Sequence, residues 1–170
     1  MPISMFQVSV PRFIHTLESL RSILDKAMAY EEAKKLDPSV LPNARLYPDM
    51  LPLSAQIQIA SDSAKGAACR LAGVPIVAFE DNEKTLGDLK GRVEKTIDLL
   101  KTFKPEQIDG SEEKELVIKV GGKDTPFRGM QLLLGRSIPN FYFHVTTTYD
   151  ILRHNGVDIG KRDFLGDLTA

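Results

Sequence analysis

Apolar residues recur every three or four positions in four long stretches of the chain, which is the pattern of amphipathic helices. These stretches are residues 3–34, 53–72, 85–103 and 139–156. Pro11 indicates either a kink in the first helix or a helix start nearby after an irregular lead-in. Gly73 and Pro75 end the second helix, and Thr85 with Asp88 resembles a capping box at the start of the third. The pattern predicts four main helices.

The period changes to two between the third and fourth helices. Apolar residues alternate along residues 116–120 and are followed by Gly121 and Gly122. This arrangement predicts a β-hairpin over residues 114–128, with Pro126 marking the return strand as an edge strand. A hairpin alone is marginally stable, so we expect it to pack on the helices.

The remaining segments read as connections. Several prolines in residues 37–52 predict a loop laid over the body, and residues 129–138 predict a short helix or turn. Pro139 then suits the first turn of the last helix. The apolar residues Phe164 and Leu165 are expected to dock the tail. We find no repeat or linker, so the prediction is one mainly α-helical domain spanning residues 1–170, a four-helix bundle with a hairpin between helices three and four.

Composition and charge argue against several classes of function. The chain has 170 residues, 42% hydrophobic residues and a formal net charge of −1. Such a balance provides no basic field for nucleic acid, so no nucleic-acid partner is expected. No apolar run reaches the length that spans a bilayer, so no membrane partner is expected. The single cysteine, Cys69, cannot form an intramolecular disulfide, and the N-terminus lacks a signal-peptide pattern, which favours the cytoplasm.

The last helix carries the best candidates for chemistry. Asn140 and His144 lie one turn apart and share a helical face, so they could form half of a metal or ligand site, or a hydrogen-bonded pair that orders the core. A buried imidazole can act as a metal ligand or proton shuttle, or be a satisfied core residue. His154 is expected to cap the helix C-terminus, and His15 to lie on the surface.

The second helix and the loop before it supply further candidates. Gln56 and Gln58 begin this helix, and at most one of them can point directly inward. The inward residue could meet the asparagine–histidine pair of the last helix. Arg45 and Asp49 in the loop could cover such a site, or could be ordinary loop and surface residues.

Six segments together resemble a bacterial family, the domain of unknown function numbered nineteen-ninety-three, over nearly the whole chain. They are MFQVSVP (residues 5–11), ARLYPDMLPL (44–53), QIQIASD (56–62), FEDNE (79–83), PNFYFHVTT (139–147) and GKRDFLG (160–166). The family is grouped with the DinB/YfiT-like superfamily. The resemblance implies a four-helix bundle, usually dimeric, which in many members holds a divalent metal through three histidines. Members of known activity include thiol-dependent transferases and hydrolases.

The resemblance also shows where this chain departs from the superfamily pattern. One metal-binding histidine is expected from the second helix and two, four residues apart, from the last helix. The pair would fall at Asn140 and His144, and the third near Gln56 or Gln58, yet no histidine lies between His15 and His144. One chain therefore lacks the three-histidine set.

The sequence leaves three readings of function. The first is a small-molecule-binding or vestigial member of this metalloenzyme superfamily, with no cofactor assigned. Its ligand would lie near Gln58, Asn140 and His144, with Arg45 or Asp49 acting from the loop. The second is a transferase or hydrolase in which His144 and Asp62 hold zinc, nickel or manganese. The third is a non-catalytic dimeric interaction module with a filled core at His144. A homodimer is expected in each case from the resemblance.

Overall fold

The computed structural model describes residues 3–167. Its four long helices are α1 (Val10–Lys34), α3 (Leu53–Ala72), α4 (Leu86–Lys101) and α7 (Ile138–His154). The shorter elements are α2 (Val40–Asn43), α5 (Pro105–Ile108), the strands β1 (Glu115–Val120) and β2 (Lys123–Arg128), α6 (Gly129–Leu132) and α8 (Lys161–Leu165). The predicted four-helix bundle with a hairpin between the third and fourth long helices is confirmed.

The long helices bury their apolar stripes in one core. Helix α3 packs against both α7 and α4, and α1 packs against α4 and α8. Fully buried Phe13, Leu20 and Ile57 fill the centre, and Phe141 meets Phe13 edge to face with ring centroids 4.8 Å apart. Within residues 3–167, every helix is too short or too polar to cross a membrane.

Helix α1 starts after an irregular lead-in, which was one of the two possibilities for Pro11. The helix begins at Val10 and places the proline in its first turn, where a missing N–H costs no helical hydrogen bond. The lead-in is tied to the body by Asp109, which accepts from the Ser4 hydroxyl at 2.8 Å and the Phe6 backbone N–H at 2.9 Å.

The predicted helix caps and the hairpin are present. Gly73 ends α3 with a φ of 72°, a left-handed conformation that suits glycine. At the start of α4, the Thr85 hydroxyl accepts from the Asp88 N–H at 3.1 Å and the Asp88 carboxylate accepts from the Thr85 N–H at 3.0 Å. Gly121 and Gly122 both have positive φ, as a two-residue type I′ hairpin turn requires.

The segment before α7 differs from the predicted separate short helix or turn. A π-helical turn, Leu133–Ser137, joins α6 to α7 without a break in the helical backbone. Pro139 is the second residue of α7, as expected, but it lies within a longer helical path. A π turn inserts one extra residue into the helix, and this change in the hydrogen-bond pattern accommodates a proline, which has no backbone N–H to donate.

The tail docks on the body through an ion pair of Asp163 with Lys26 at 2.7 Å, an aromatic side chain and a backbone carbonyl. Phe164 packs against Tyr149 with ring centroids 6.0 Å apart, as predicted. Leu165 is 38% exposed, so it is covered only in part. Its carbonyl contacts His15 Nε2 at 2.7 Å, which makes His15 a partly buried tether of the tail.

Candidate ligand site between α3 and α7

The polar centre of the helix interface is a contact between Gln56 on α3 and His144 on α7. Gln56 Oε1 lies 2.6 Å from His144 Nδ1, and Gln56 Nε2 donates to the backbone carbonyl of Leu51 at 3.0 Å. Because the amide nitrogen is used by that carbonyl, Oε1 must accept, so the proton of the imidazole is on Nδ1. This assignment leaves the lone pair of the neutral ring on Nε2.

Burial keeps the imidazole neutral. His144 is 8% exposed, and desolvation lowers its pKa below the ordinary value of 6.5. Nε2 has no hydrogen-bond partner among residues 3–167 and is not one of the fully enclosed unpaired atoms. Phe143 beside it is 57% exposed and packs edge to face on the imidazole at 5.2 Å. The site therefore offers one free acceptor next to an exposed aromatic ring.

Asn140 makes a second polar contact across the same interface. Its amide nitrogen donates to the hydroxyl of Ser63 on α3 at 2.7 Å. Asn140 and His144 do share the face that meets α3, as the spacing predicts. Each bonds to a different residue of α3, however, so the pair does not form one hydrogen-bonded unit.

Gln58 does not belong to this site. Two residues advance a helix by about 200°, so Gln58 points away from the side on which Gln56 lies. Its amide nitrogen donates to Glu83 Oε2 at 2.9 Å. The prediction that Gln58 lies beside His144 is wrong, and Gln56 takes that place. The sequence indicated that only one of these glutamines could point inward, but not which one.

The loop residues named from the sequence also lie apart from the imidazole. Arg45 donates to the backbone carbonyl of Met50 within the loop, and Asp49 is exposed. The structure brings neither side chain into hydrogen-bond contact with His144. The loop instead reaches the site through the carbonyl of Leu51, which orients the Gln56 amide.

Asp62 is committed elsewhere, which corrects the sequence-based pairing with His144. One of its carboxylate oxygens lies 3.0 Å from Arg92 Nη2 and 3.0 Å from Lys65 Nζ. Among residues 3–167, no group of three or more histidine, cysteine, aspartate or glutamate side chains is arranged to hold a metal. The donors at the superfamily's metal positions are two amides and one imidazole, so they do not fit a three-histidine centre.

Sequence reasoning missed a buried cationic cluster between α3, α4 and the segment that follows α3. Lys65 is 3% exposed and Arg92 is 2% exposed. Lys65 Nζ donates to the Val77 carbonyl at 2.7 Å and lies 4.5 Å from the centroid of the Phe79 ring. Arg92 bonds to Glu83 at 2.9 Å. Its position on the apolar stripe of α4 was the signal that it is buried.

This cluster also sets the ionisation of Glu83. Burial acts to raise the pKa of its carboxyl, but hydrogen bonds from Arg92 and Gln58 outweigh it and hold the pKa below the ordinary range. The cluster therefore stays ionised at neutral pH and fixes the segment after α3 onto the bundle.

The fold places the protein among DinB-like helical bundles. It is similar to the crystal structure of a DinB family member from Shewanella denitrificans at 1.83 Å resolution, with a TM-score of 0.85 and 37% sequence identity over 97% of this chain and 93% of that chain. The chain belongs to the family described as Domain of unknown function (DUF1993), whose profile matches residues 5–165. No curated protein has a significant match to it. The resemblance inferred from the sequence is confirmed.

Proposed function

We propose that the protein binds a small molecule at the interface of α3 and α7, with the imidazole of His144 as the polar anchor. The observation that carries this proposal is the hydrogen-bond relay from the Leu51 carbonyl through Gln56 to His144 Nδ1. The relay fixes the neutral tautomer and leaves Nε2 without a partner. Because Nε2 is not fully enclosed, a ligand can reach it and supply the missing hydrogen bond.

The tautomer defines the chemistry of the ligand. A neutral Nε2 accepts a hydrogen bond, so the bound group must carry an O–H, N–H or S–H donor. The exposed ring of Phe143, in contact with the imidazole, would cover an apolar part of the same molecule. Asn140 and Ser63 satisfy each other, so they would position α7 rather than contact the ligand.

A solution measurement of the tautomer tests the foundation of the proposal. Long-range ¹H–¹⁵N spectra are expected to show the His144 proton on Nδ1 at neutral pH. A proton on Nε2 would contradict the relay and remove the free acceptor.

Native mass spectrometry of untagged protein, followed by analysis of the released compounds, then tests binding. The parent protein and His154→Gln, which changes an exposed histidine of the same helix, are expected to carry a common adduct that His144→Gln lacks. An adduct retained equally by both variants, or no adduct on the parent, would refute the proposal.

The metal-dependent transferase or hydrolase is the second reading, and it requires ligands besides His144. Elemental analysis of untagged protein after exposure to zinc, nickel or manganese separates the two. We expect no stoichiometric metal. One metal ion per chain in the parent, lost in His144→Ala, would replace the small-molecule proposal with the enzyme.

The proposal includes formation of a homodimer. It also includes a cytoplasmic location, which is expected for a chain with one cysteine. Large apolar side chains remain exposed along the path of α6 and α7: Met130 is 41%, Leu134 51% and Phe143 57% exposed. Met130 and Leu134 lie one turn apart on this helical path and would share one association surface. If association were the whole function, sedimentation would show a dimer in both the parent and His144→Gln while neither carried an adduct.

A further inference from the structure

A cavity lies on the other side of α3 from His144. It is a groove of about 790 Å³ between the irregular segment of residues 78–84 and the outer face of α4. Volumes of this order hold small organic ligands. Phe79 and Arg92 contribute to its lining, and none of the residues of the His144 site does. The groove and the His144 site therefore share no lining residue.

Two glycines keep the α4 wall of the groove open. Gly87 and Gly91 lie one turn apart and both line it. A Cβ atom added to Gly91 would meet nothing within 4 Å, and one added to Gly87 would meet only the Thr85 hydroxyl at 3.7 Å. Both glycines have ordinary helical φ angles, although glycine is less stable than alanine within a helix. Packing of the described chain gives no reason for them, whereas close approach by an external molecule does.

The acidic side chains of the groove are already engaged by the protein. Glu83 binds Arg92 at 2.9 Å, and Glu80 accepts from Asn82 at 3.1 Å. The carboxylate of Asp88 accepts from backbone N–H groups in the capping box of α4. Each of these carboxylates is therefore already held by a contact within the protein.

Two of the three basic side chains of the groove make no ion pair within residues 3–167. Lys84 and Lys95 line it, and in the described part of the chain neither has a carboxylate within ion-pair distance. Arg92 differs from them, because its buried guanidinium already pairs with the carboxylates of Asp62, Asp81 and Glu83. The positive end of the α4 dipole lies at the start of this helix, next to Lys84. All of the unmatched groups favour a negatively charged acceptor.

We propose that this groove binds a small organic anion bearing a carboxylate or phosphate group. The two lysines and the start of α4 would hold the charged group, and the body of the molecule would lie over the glycine-lined helix backbone. A helix from a second copy fits the glycines less well, because the segment carrying Phe79 forms a wall that makes this surface concave.

The test is an NMR titration of the full chain with inorganic phosphate and, separately, with citrate, which distinguishes the two anion classes. Saturable shifts of the Gly87 and Gly91 amides are expected with at least one probe. The double variant Lys84→Gln/Lys95→Gln should weaken binding at least about tenfold, because each lost charge removes a charge-assisted contact. Lys123→Gln/Lys161→Gln removes two exposed lysines elsewhere and should bind as the parent does. Equal affinity of the two double variants, or no saturable shift with either probe, would overturn the proposal.

Gly91→Ala provides a second test that misfolding cannot imitate. The added methyl group should raise the melting temperature, because alanine favours the helix. It should also weaken anion binding, because it projects into the groove where the ligand would lie. Raised stability with unchanged affinity would overturn the proposed ligand position. A change in oligomeric state on sedimentation would instead assign the glycines to contact with a second copy, and would also overturn it.

Discussion

Replacing Gln56 by leucine tests the relay at its centre. Gln56 is 1% exposed and joins two elements, since its Oε1 contacts His144 Nδ1 and its Nε2 donates to the Leu51 carbonyl. Leucine has a similar volume, so the substitution removes both hydrogen bonds without opening a large cavity. Any loss of stability therefore reports on the polar contacts rather than on packing.

The expected cost follows from what is left unpaired. A buried imidazole N–H without an acceptor costs about 1–3 kcal/mol, and transfer of its proton to Nε2 would keep the cost toward the lower end. The Leu51 carbonyl lies in an exposed loop where water can replace the amide, so its loss is about 0.5–1 kcal/mol. The combined loss is about 1.5–3 kcal/mol. This lowers the melting temperature of a domain of this size by roughly 3–12 °C.

Urea denaturation of Gln56→Leu, His144→Phe and the double variant measures the coupling directly. The two substitutions should be non-additive by about 1 kcal/mol or more, since both remove the same hydrogen bond. The NMR signal of His144 in Gln56→Leu should show the proton moved toward Nε2. Additivity within about 0.3 kcal/mol, with the tautomer unchanged, would refute the relay.

Two further predictions concern acid stability and backbone packing. Desolvation holds the pKa of His144 below 6.5, so the imidazole takes up a proton in the unfolded chain before it does so in the folded protein as the pH falls. The neutral imidazole therefore stabilises the folded state fully above about pH 6.5. This stabilisation declines as the pH falls toward the folded-state pKa. His144→Gln should lack that part of the decline in urea midpoints measured from about pH 8 to pH 5, and a parallel decline would contradict the depressed pKa. Gly129→Ala would place a Cβ atom 1.9 Å from the carbonyl oxygen of Ser111 and should destabilise the protein by about 1–3 kcal/mol or more, whereas Gly135→Ala, with nothing within 4 Å, should be neutral or stabilising. Thermal unfolding compares the two, and similar melting temperatures would show that the close approach at Gly129 relaxes at little cost.

The sequence predicted the fold well because its strongest signals are local. Apolar spacing defined the four long helices, the Thr85 hydroxyl marked the start of α4, and consecutive glycines marked the hairpin turn. Each depends on residues a few positions apart, which the linear chain displays directly. The continuous helical path into α7 was missed because a π turn has no clear sequence signature, and Pro139 suggested a fresh start.

The candidate site was predicted only in part because helix rotation decides it. His144 and Asn140 were correctly placed toward α3, since they share one face of one helix. Choosing between Gln56 and Gln58 requires knowing how α3 is rotated against α7, and that depends on contacts distant in sequence. The same limit hid the burial of Arg92, whose carboxylate partners come from α3 and from the segment before α4.

The two candidate sites lie on different faces of helix α3. Gln56 and Ser63 are two turns apart and both contact α7, whereas Gln58 and Asp62 are one turn apart and contact groups of α4 and the segment before it. The first stripe ends in a free acceptor, Nε2 of His144, and therefore calls for a donor. The groove beyond the second stripe has unmatched cations and calls for an anion. Because no hydrogen bond in the described chain joins the two stripes, substitutions in them should act additively, and the two ligand proposals can fail separately.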